Sequence, residues 1–281
     1  MRYCLLILTF LTCDVALHAE LGRGDISCRS GDEGNRPYKK KLWDGYEISL
    51  GPVRNALEYG CTAAIYNAAG KVVFRTNGFN VIFDEDWTGE DFDGDGKPDV
   101  VFQVDTSGGA HCCWGYDVVS LVPKPRRLFE VGAGGAVWFH KDKQGRMEIW
   151  QRTPGPYQYT DTADQPWADQ VFRVREGKLV DSTPEFCSII LNGGGDYDWQ
   201  KRVLTPEKIK KLSSGIEKPD DEVASALLSM ALQHAFCRQF DDAISDLNLW
   251  PEATRDDMKS DFAESIKNQC PEFAARLEKS Q

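Results

Sequence analysis

The sequence predicts a mainly β fold made of repeated units of about 50 residues, followed by a small C-terminal helical hairpin. Three observations predict it. Between Tyr46 and about Val180, short β-prone runs alternate with Gly, Asp and Pro turns, the spacing of an all-β domain. An acidic, glycine-containing loop at residues 91–99 runs straight into Val100-Val101-Phe102 and has a counterpart further along the chain. Beyond Asn192 the apolar residues recur at helical spacing instead.

The chain has 281 residues, 41% of them hydrophobic, enough for one large domain or one domain with a small companion. Residues 1–19 read as a secretory signal peptide. Arg2 supplies a short positive segment, residues 4–11 an apolar stretch too short to span a bilayer, and Ala19 a small residue before Glu20. Leu17 departs from the small residue usual two places earlier, and a buried N-terminal strand or helix is the alternative. Thr12 and Asp14 fit a lipid-attachment motif at Cys13 badly. No other stretch approaches the roughly 18 apolar residues of a membrane span, so the expectation is a secreted or periplasmic protein. Its oligomeric state is not specified by sequence.

Arg2 and Asp14 cancel, so the mature chain keeps the formal net charge of −11. With a pI near 4.9, nucleic acid and anionic membranes are excluded as main partners, whereas a bound cation is favoured. Cleavage leaves seven cysteines, Cys28, Cys61, Cys112, Cys113, Cys187, Cys237 and Cys270. Export favours disulfides, and an odd number leaves one thiol free or shared with another chain. Regional grouping suggests Cys28 with Cys61 and Cys237 with Cys270.

Residues 20–191 form the expected β-repeat domain, 192–221 a linker with a short helix, and 222–281 the helical segment. A first hairpin spans Thr62 to Thr76, turning at Asn67-Ala68-Ala69-Gly70, and residues 80–83 form a further strand. Self-comparison lays residues 91–102 on residues 140–151 at an offset of 49 residues, with Gly96 on Gly145. Asp91, Asp93, Asp95 and Asp99 then match His140, Asp142, Gln144 and Glu148. Residues 117–130 match 169–182 at an offset of 52. Two matches in the same order indicate about two and a half units, each a hairpin, an acidic loop and a strand. Further on, Gly193-Gly194-Gly195 marks a boundary, Thr205-Pro206 opens a short helix, and Lys218-Pro219-Asp220 introduces a longer one. Val223, Leu227, Leu228, Ala231, Ala235 and Phe236 form its apolar face. Trp250-Pro251 breaks the pattern, Met258, Phe262 and Ile266 form the next stripe, and Pro271 is expected to end or kink that helix.

The residues with the clearest chemistry are Asp91, Asp93, Asp95 and Asp99, with a backbone carbonyl near Lys97. D-x-D-x-D-G gathers hard oxygen donors around a tight turn, which suits calcium. Phe102 stands where an EF-hand has its twelfth-position Glu, and a strand follows instead of a helix. A structural calcium site is therefore expected, not a sensor. The matching loop has His140 and the neutral Gln144, so it should keep the shape and lose the ion.

Residues 91–102 resemble the calcium loops of FG-GAP or VCBS repeats of the integrin-alpha type. Followed by Ser107-Gly108-Gly109-Ala110-His111-Cys112-Cys113, they also resemble a group of bacterial exported proteins of unassigned function. That resemblance covers roughly Cys61 to Phe186, including Pro184-Glu185-Phe186, and implies a β fold with metal binding and no activity. It also implies propeller-blade-like β repeats. Closed propellers need about four or more blades, and residues 42–186 supply about three, so the expected architecture is a partial propeller or a sandwich.

His111-Cys112-Cys113 is a poor zinc site, since adjacent strand residues point to opposite faces. A Cys112–Cys113 disulfide, a bond from either to Cys187, and redox chemistry are the other readings. Nucleophilic hydrolysis lacks a G-x-S-x-G element. Trp138 and Trp150 fall in strand patterns and are expected in the core. Tyr157, Tyr159 and Trp167 are either loop packing or a platform for sugar or protein. The function expected is that of a non-enzymatic calcium-binding protein, an adhesion or interaction module for protein or carbohydrate at the cell envelope. The alternative is an envelope hydrolase or thiol-dependent enzyme centred on His111 to Cys113.

Overall fold

The computed structural model describes residues 26–29, 37–53, 60–106, 114–132, 136–160, 164–192, 196–214 and 219–279. His111, Cys112, Cys113 and the expected leader lie outside these. The strands are β1 (Ile26–Cys28), β2 (Tyr38–Lys41), β3 (Glu47–Pro52), β4 (Cys61–Tyr66), β5 (Val72–Gly78), β6 (Asn80–Phe83), β7 (Asp99–Asp105), β8 (Trp114–Ser120), β9 (Arg126–Gly132), β10 (Val137–Lys141), β11 (Met147–Pro154), β12 (Trp167–Arg175) and β13 (Lys178–Asp181). The helices are α1 (Thr183–Leu191), α2 (Asp196–Val203), α3 (Pro206–Ser214), α4 (Asp221–Phe236), α5 (Phe240–Leu247), α6 (Arg255–Ile266) and α7 (Pro271–Glu278).

The strands make three antiparallel sheets: β2-β3-β4-β5, then β6-β7-β8-β9 with β1 added beside β6, then β10-β11-β12-β13. Each is a meander of four consecutive strands. The expected repeat unit was out of phase with this arrangement. Hairpins β4–β5, β8–β9 and β12–β13 each close a sheet, while the acidic loops join the first two strands of the second and third. The described residues show three such sheets and no closed propeller.

β7 lies at the centre of the five-stranded sheet, which is why Val100, Val101 and Phe102 are all fully buried. Its alternate residues face different neighbours. Val100 and Phe102 pack with Ile48, Leu50 and Ile65 of the first sheet. Val101 packs with Phe92, Phe129, Phe139 and Ile149, joining the second sheet to the third. The Cys28–Cys61 disulfide links β1 to β4 and so ties the second sheet to the first.

The helical region is much larger than the expected hairpin and begins with Pro184-Glu185-Phe186 in the first turn of α1. Phe186 and Ile190 cover Val171 of the third sheet. Among the described residues, 167–171 of β12 have no strand partner on one side, because β13 pairs only with residues 172–175. Side chains complete that edge. Trp167 N–H donates to Ser229 Oγ at 2.9 Å, Asp169 N–H to Gln233 Oε1 at 2.8 Å, and Val171 N–H to Thr183 Oγ1 at 2.9 Å. Helix α4 is N-capped by Asp220, which accepts the Val223 N–H, and is buried on almost every face. Pro271 opens α7 instead of ending α6, the first-turn position where its missing N–H costs nothing.

The expected Cys237–Cys270 pairing is not made. Cys237, at the end of α4, bonds Cys187 of α1, and Cys270 is a buried free thiol. The same bond removes Cys187 as a partner for Cys112 or Cys113.

Candidate metal centre

The loop between β6 and β7 is built by its own acidic side chains. Asp84, buried at the end of β6, accepts the Trp87 N–H at 3.1 Å and the Gln103 amide at 2.9 Å, which starts the turn. Gly89 N–H then donates to the Asp99 carbonyl, and Asp99 N–H to the Glu90 carbonyl, each at 2.8 Å. Between these ties, Asp91 Oδ1 accepts the Gly94 and Asp95 N–H groups and its Oδ2 accepts that of Gly96, at 2.7, 3.1 and 2.8 Å. Gly96 holds φ +80°, a conformation costly for a residue with a Cβ.

The folded loop brings one oxygen of each of Asp91, Asp93 and Asp99 within 4.8 Å of the others. It does not bring Asp95 into that group. Asp95 is exposed, and its Oδ1 accepts the Lys97 N–H at 2.8 Å. Lys97 too is exposed. A cation site in this loop therefore centres on the first, second and last aspartates of the motif.

Asp99 is the informative member. It is fully buried at the start of β7. Its Oδ2 accepts the Phe92 N–H at 2.8 Å, while its Oδ1 has no hydrogen-bond partner. Burial pushes its carboxyl up to about 7, with Asp93, Asp91 and Asp95 adding to the rise and the Phe92 N–H opposing it. Asp93 is also raised, first by burial and then by Asp95. A buried ionised oxygen without a partner costs several kcal/mol. Three converging carboxylates with one such oxygen are a donor set that a divalent, oxygen-preferring cation fits, and the cluster could hold a metal ion such as calcium.

The site touches the packing between two sheets. The ring of Phe92, whose N–H is held by Asp99, meets Phe139 of β10 edge-on at 5.0 Å and Phe129 of β9 at 6.0 Å. Trp87 of the same loop meets Phe139 at 5.4 Å. Glu90 pairs with Lys141 of β10. Arg126, which opens β9, places Nη2 at 2.9 Å from Asp93 Oδ2.

The matching segment keeps only part of the expected shape: it is a tight hairpin between β10 and β11, closed by the Asp142 N–H on the Arg146 carbonyl at 3.0 Å, with His140 and Glu148 paired in the strands. Gly145 holds φ +78°, and Asp142 Oδ1 accepts the N–H groups of Gln144 and Arg146, both at 2.9 Å. Its charges are settled within the protein. Arg146 Nε lies 2.7 Å from Asp142 Oδ2. Glu148, also buried, has Arg173 Nη2 at 2.9 Å and His140 Nδ1 at 3.1 Å. Arg173 stands across from Glu148 one step beyond the Ile149–Phe172 pair. The residue across from Asp99 is Ser120, whose hydroxyl donates to the Val122 carbonyl. Arg126, Arg173 and Ser120 were not singled out by the sequence, because they reach the loops only through strand pairing.

Trp138 is 38% exposed, against the expectation that it is core. It stacks on Trp150 at 6.0 Å, but the helix packed on that face meets only Trp150, through Phe186 at 5.5 Å. Tyr159 is half-buried, edge-on to Trp250 at 5.3 Å with its hydroxyl on Asp261, and Trp167 is also half-buried. The Tyr157 side chain lies outside the described set. Compared with known proteins, no protein-family model matches this chain, and no curated protein matches it significantly.

Proposed function

We propose that this is an exported, non-enzymatic β-repeat protein in which a calcium ion, held by Asp91, Asp93 and Asp99, fastens the second sheet to the third, and that it serves as an interaction module at the cell envelope. The observation that carries the reading is the buried, unpartnered Oδ1 of Asp99 within a cluster of three carboxylates. The donors are all oxygens on a flexible turn, the chemistry calcium prefers over smaller, geometrically stricter cations. A strand follows the loop, so the ion would stabilise the fold instead of moving a helix.

The two disulfides are consistent with an extracytoplasmic protein. Among the described residues no helix is long and apolar enough to cross a membrane. His140 Nδ1 lies 3.1 Å from Glu148 Oε2 and His234 Nδ1 lies 2.6 Å from Asp246 Oδ2, hydrogen-bond contacts that tie strand to strand and helix to helix. The likeness to FG-GAP or VCBS loops supports the same reading on the residues of the loop alone.

Calorimetric titration of the mature chain with calcium tests the metal, alongside an Asp93→Ala/Asp95→Ala variant. Heat that saturates in the natural sequence and is lost in the variant is expected; equal heats in the two would sink the reading. Calcium-dependent cosedimentation with envelope fragments tests the interaction role, and cosedimentation unchanged by chelator would count against it.

A further inference from the structure

The cation site carries a counter-ion of its own. We propose that Arg126 competes with the bound cation for Asp93 and thereby sets the affinity of the site. This rests on the calcium reading of the loop and adds what regulates it. Arg126 Nη2 lies 2.9 Å from Asp93 Oδ2; the Asp93 side chain is 3% exposed, whereas that of Arg126 is 46% exposed. The guanidinium thus closes from the solvent side over a nearly buried carboxylate. Without a cation it neutralises one of the three converging aspartates, and a dication drawing on Asp93 must displace or share it.

The neighbouring turn leaves room for this arginine. Gly177, between β12 and β13, holds φ +71°, and a Cβ there would come within 2.8 Å of Arg126 Nη1. The guanidinium therefore spans from the metal loop to the third sheet. The matching loop marks the limit of the same device. There Arg173, only 12% exposed, is embedded between Glu148 and Asp142 and cannot leave. Arg126 holds one carboxylate from the surface and leaves Asp99 Oδ1 unanswered, so it weakens a site without replacing it. A site weakened in this way suits surroundings where calcium is plentiful, the range in which extracellular modules bind at about 10⁻⁴–10⁻³ M.

The test is calcium titration of the full mature chain and its Arg126→Gln and Arg126→Lys variants, with melting curves in chelator. Arg126→Gln is expected to tighten calcium binding about threefold to fivefold, the scale of removing a half-exposed ion pair, while lowering the metal-free melting temperature. Arg126→Lys should stay close to the natural protein. Circular dichroism checks that each variant is folded. A folded Arg126→Gln protein whose affinity is unchanged or weaker overturns the inference. Absence of heat from both the natural protein and Arg126→Gln is a different failure, that of the calcium reading itself.

Discussion

The segments at residues 91–99 and 140–148 share a local aspartate–glycine turn and differ around it: Gly94 holds φ +77° where Lys143 has no positive φ, and His140 and Glu148 are already paired in β10 and β11. In each, an aspartate accepts the N–H two residues on, and a glycine follows with φ near +80°. In each, the last acidic residue is buried near the start of a strand. The second loop answers its carboxylates with Arg146, Arg173 and His140. The first has one surface arginine and a buried oxygen without a partner. The second turn thus balances its charges with side chains of the protein. What separates the two is the residue across the ladder from the final acid, Ser120 in one sheet and Arg173 in the other.

The comparison is broken most severely at Arg173. It holds Glu148, stacks over Phe186 at 4.8 Å and reaches Glu185 on α1. Arg173→Ala is expected to cost roughly 3–5 kcal/mol, the scale of leaving a buried charge unpaired. Arg126→Ala should cost no more than about 1 kcal/mol in chelator. Denaturant melts of the two variants measure both, and equal losses would remove the asymmetry.

The next effect is one of pH, in metal-free protein. Asp99 is raised to about 7 from an ordinary 3.8, so the folded state holds this proton more tightly than the unfolded chain does. Its contribution is full below about pH 4 and is lost as the pH rises through about 7, a change on the order of 4 kcal/mol. In chelator, Asp99→Asn should therefore be the more stable protein at pH 8, and the difference should vanish towards pH 4.

Calcium itself comes third. At a hundredfold excess over the dissociation constant it should add about 2.7 kcal/mol, or roughly 5–10 °C in melting temperature. Asp142→Asn should leave that shift intact, and a loss there would mean that both loops bind. The smallest effect concerns the glycine the two turns share: Gly96→Ala and Gly145→Ala should each cost about 1 kcal/mol, with only Gly96→Ala altering the calcium response.

Local chemistry made much of this readable from sequence. The β4–β5 hairpin follows from Asn67, whose side chain accepts the N–H groups of Ala69 and Lys71, and α4 from Asp220 and an apolar face that is buried throughout. What depends on distant pairing was not readable. Cys187 meets Cys237 only because α1 docks beside α4 on the third sheet. Trp138 looked like core by alternation, but the helix covering its face stops at Trp150. Within the acidic loop, spacing named all four aspartates, whereas the turn directs Asp95 outward to the Lys97 N–H and brings Asp99 in from the strand. The cations that distinguish the two loops lie across strand ladders, 25 to 33 residues from the acids they meet.

The most direct test counts ions. Mature protein should be purified without chelator, dialysed against calcium and assayed for bound metal per chain, beside Asp99→Asn. One calcium per chain, lost in Asp99→Asn, is the expected result. No bound ion, two ions per chain, or one that survives Asp99→Asn would contradict the account.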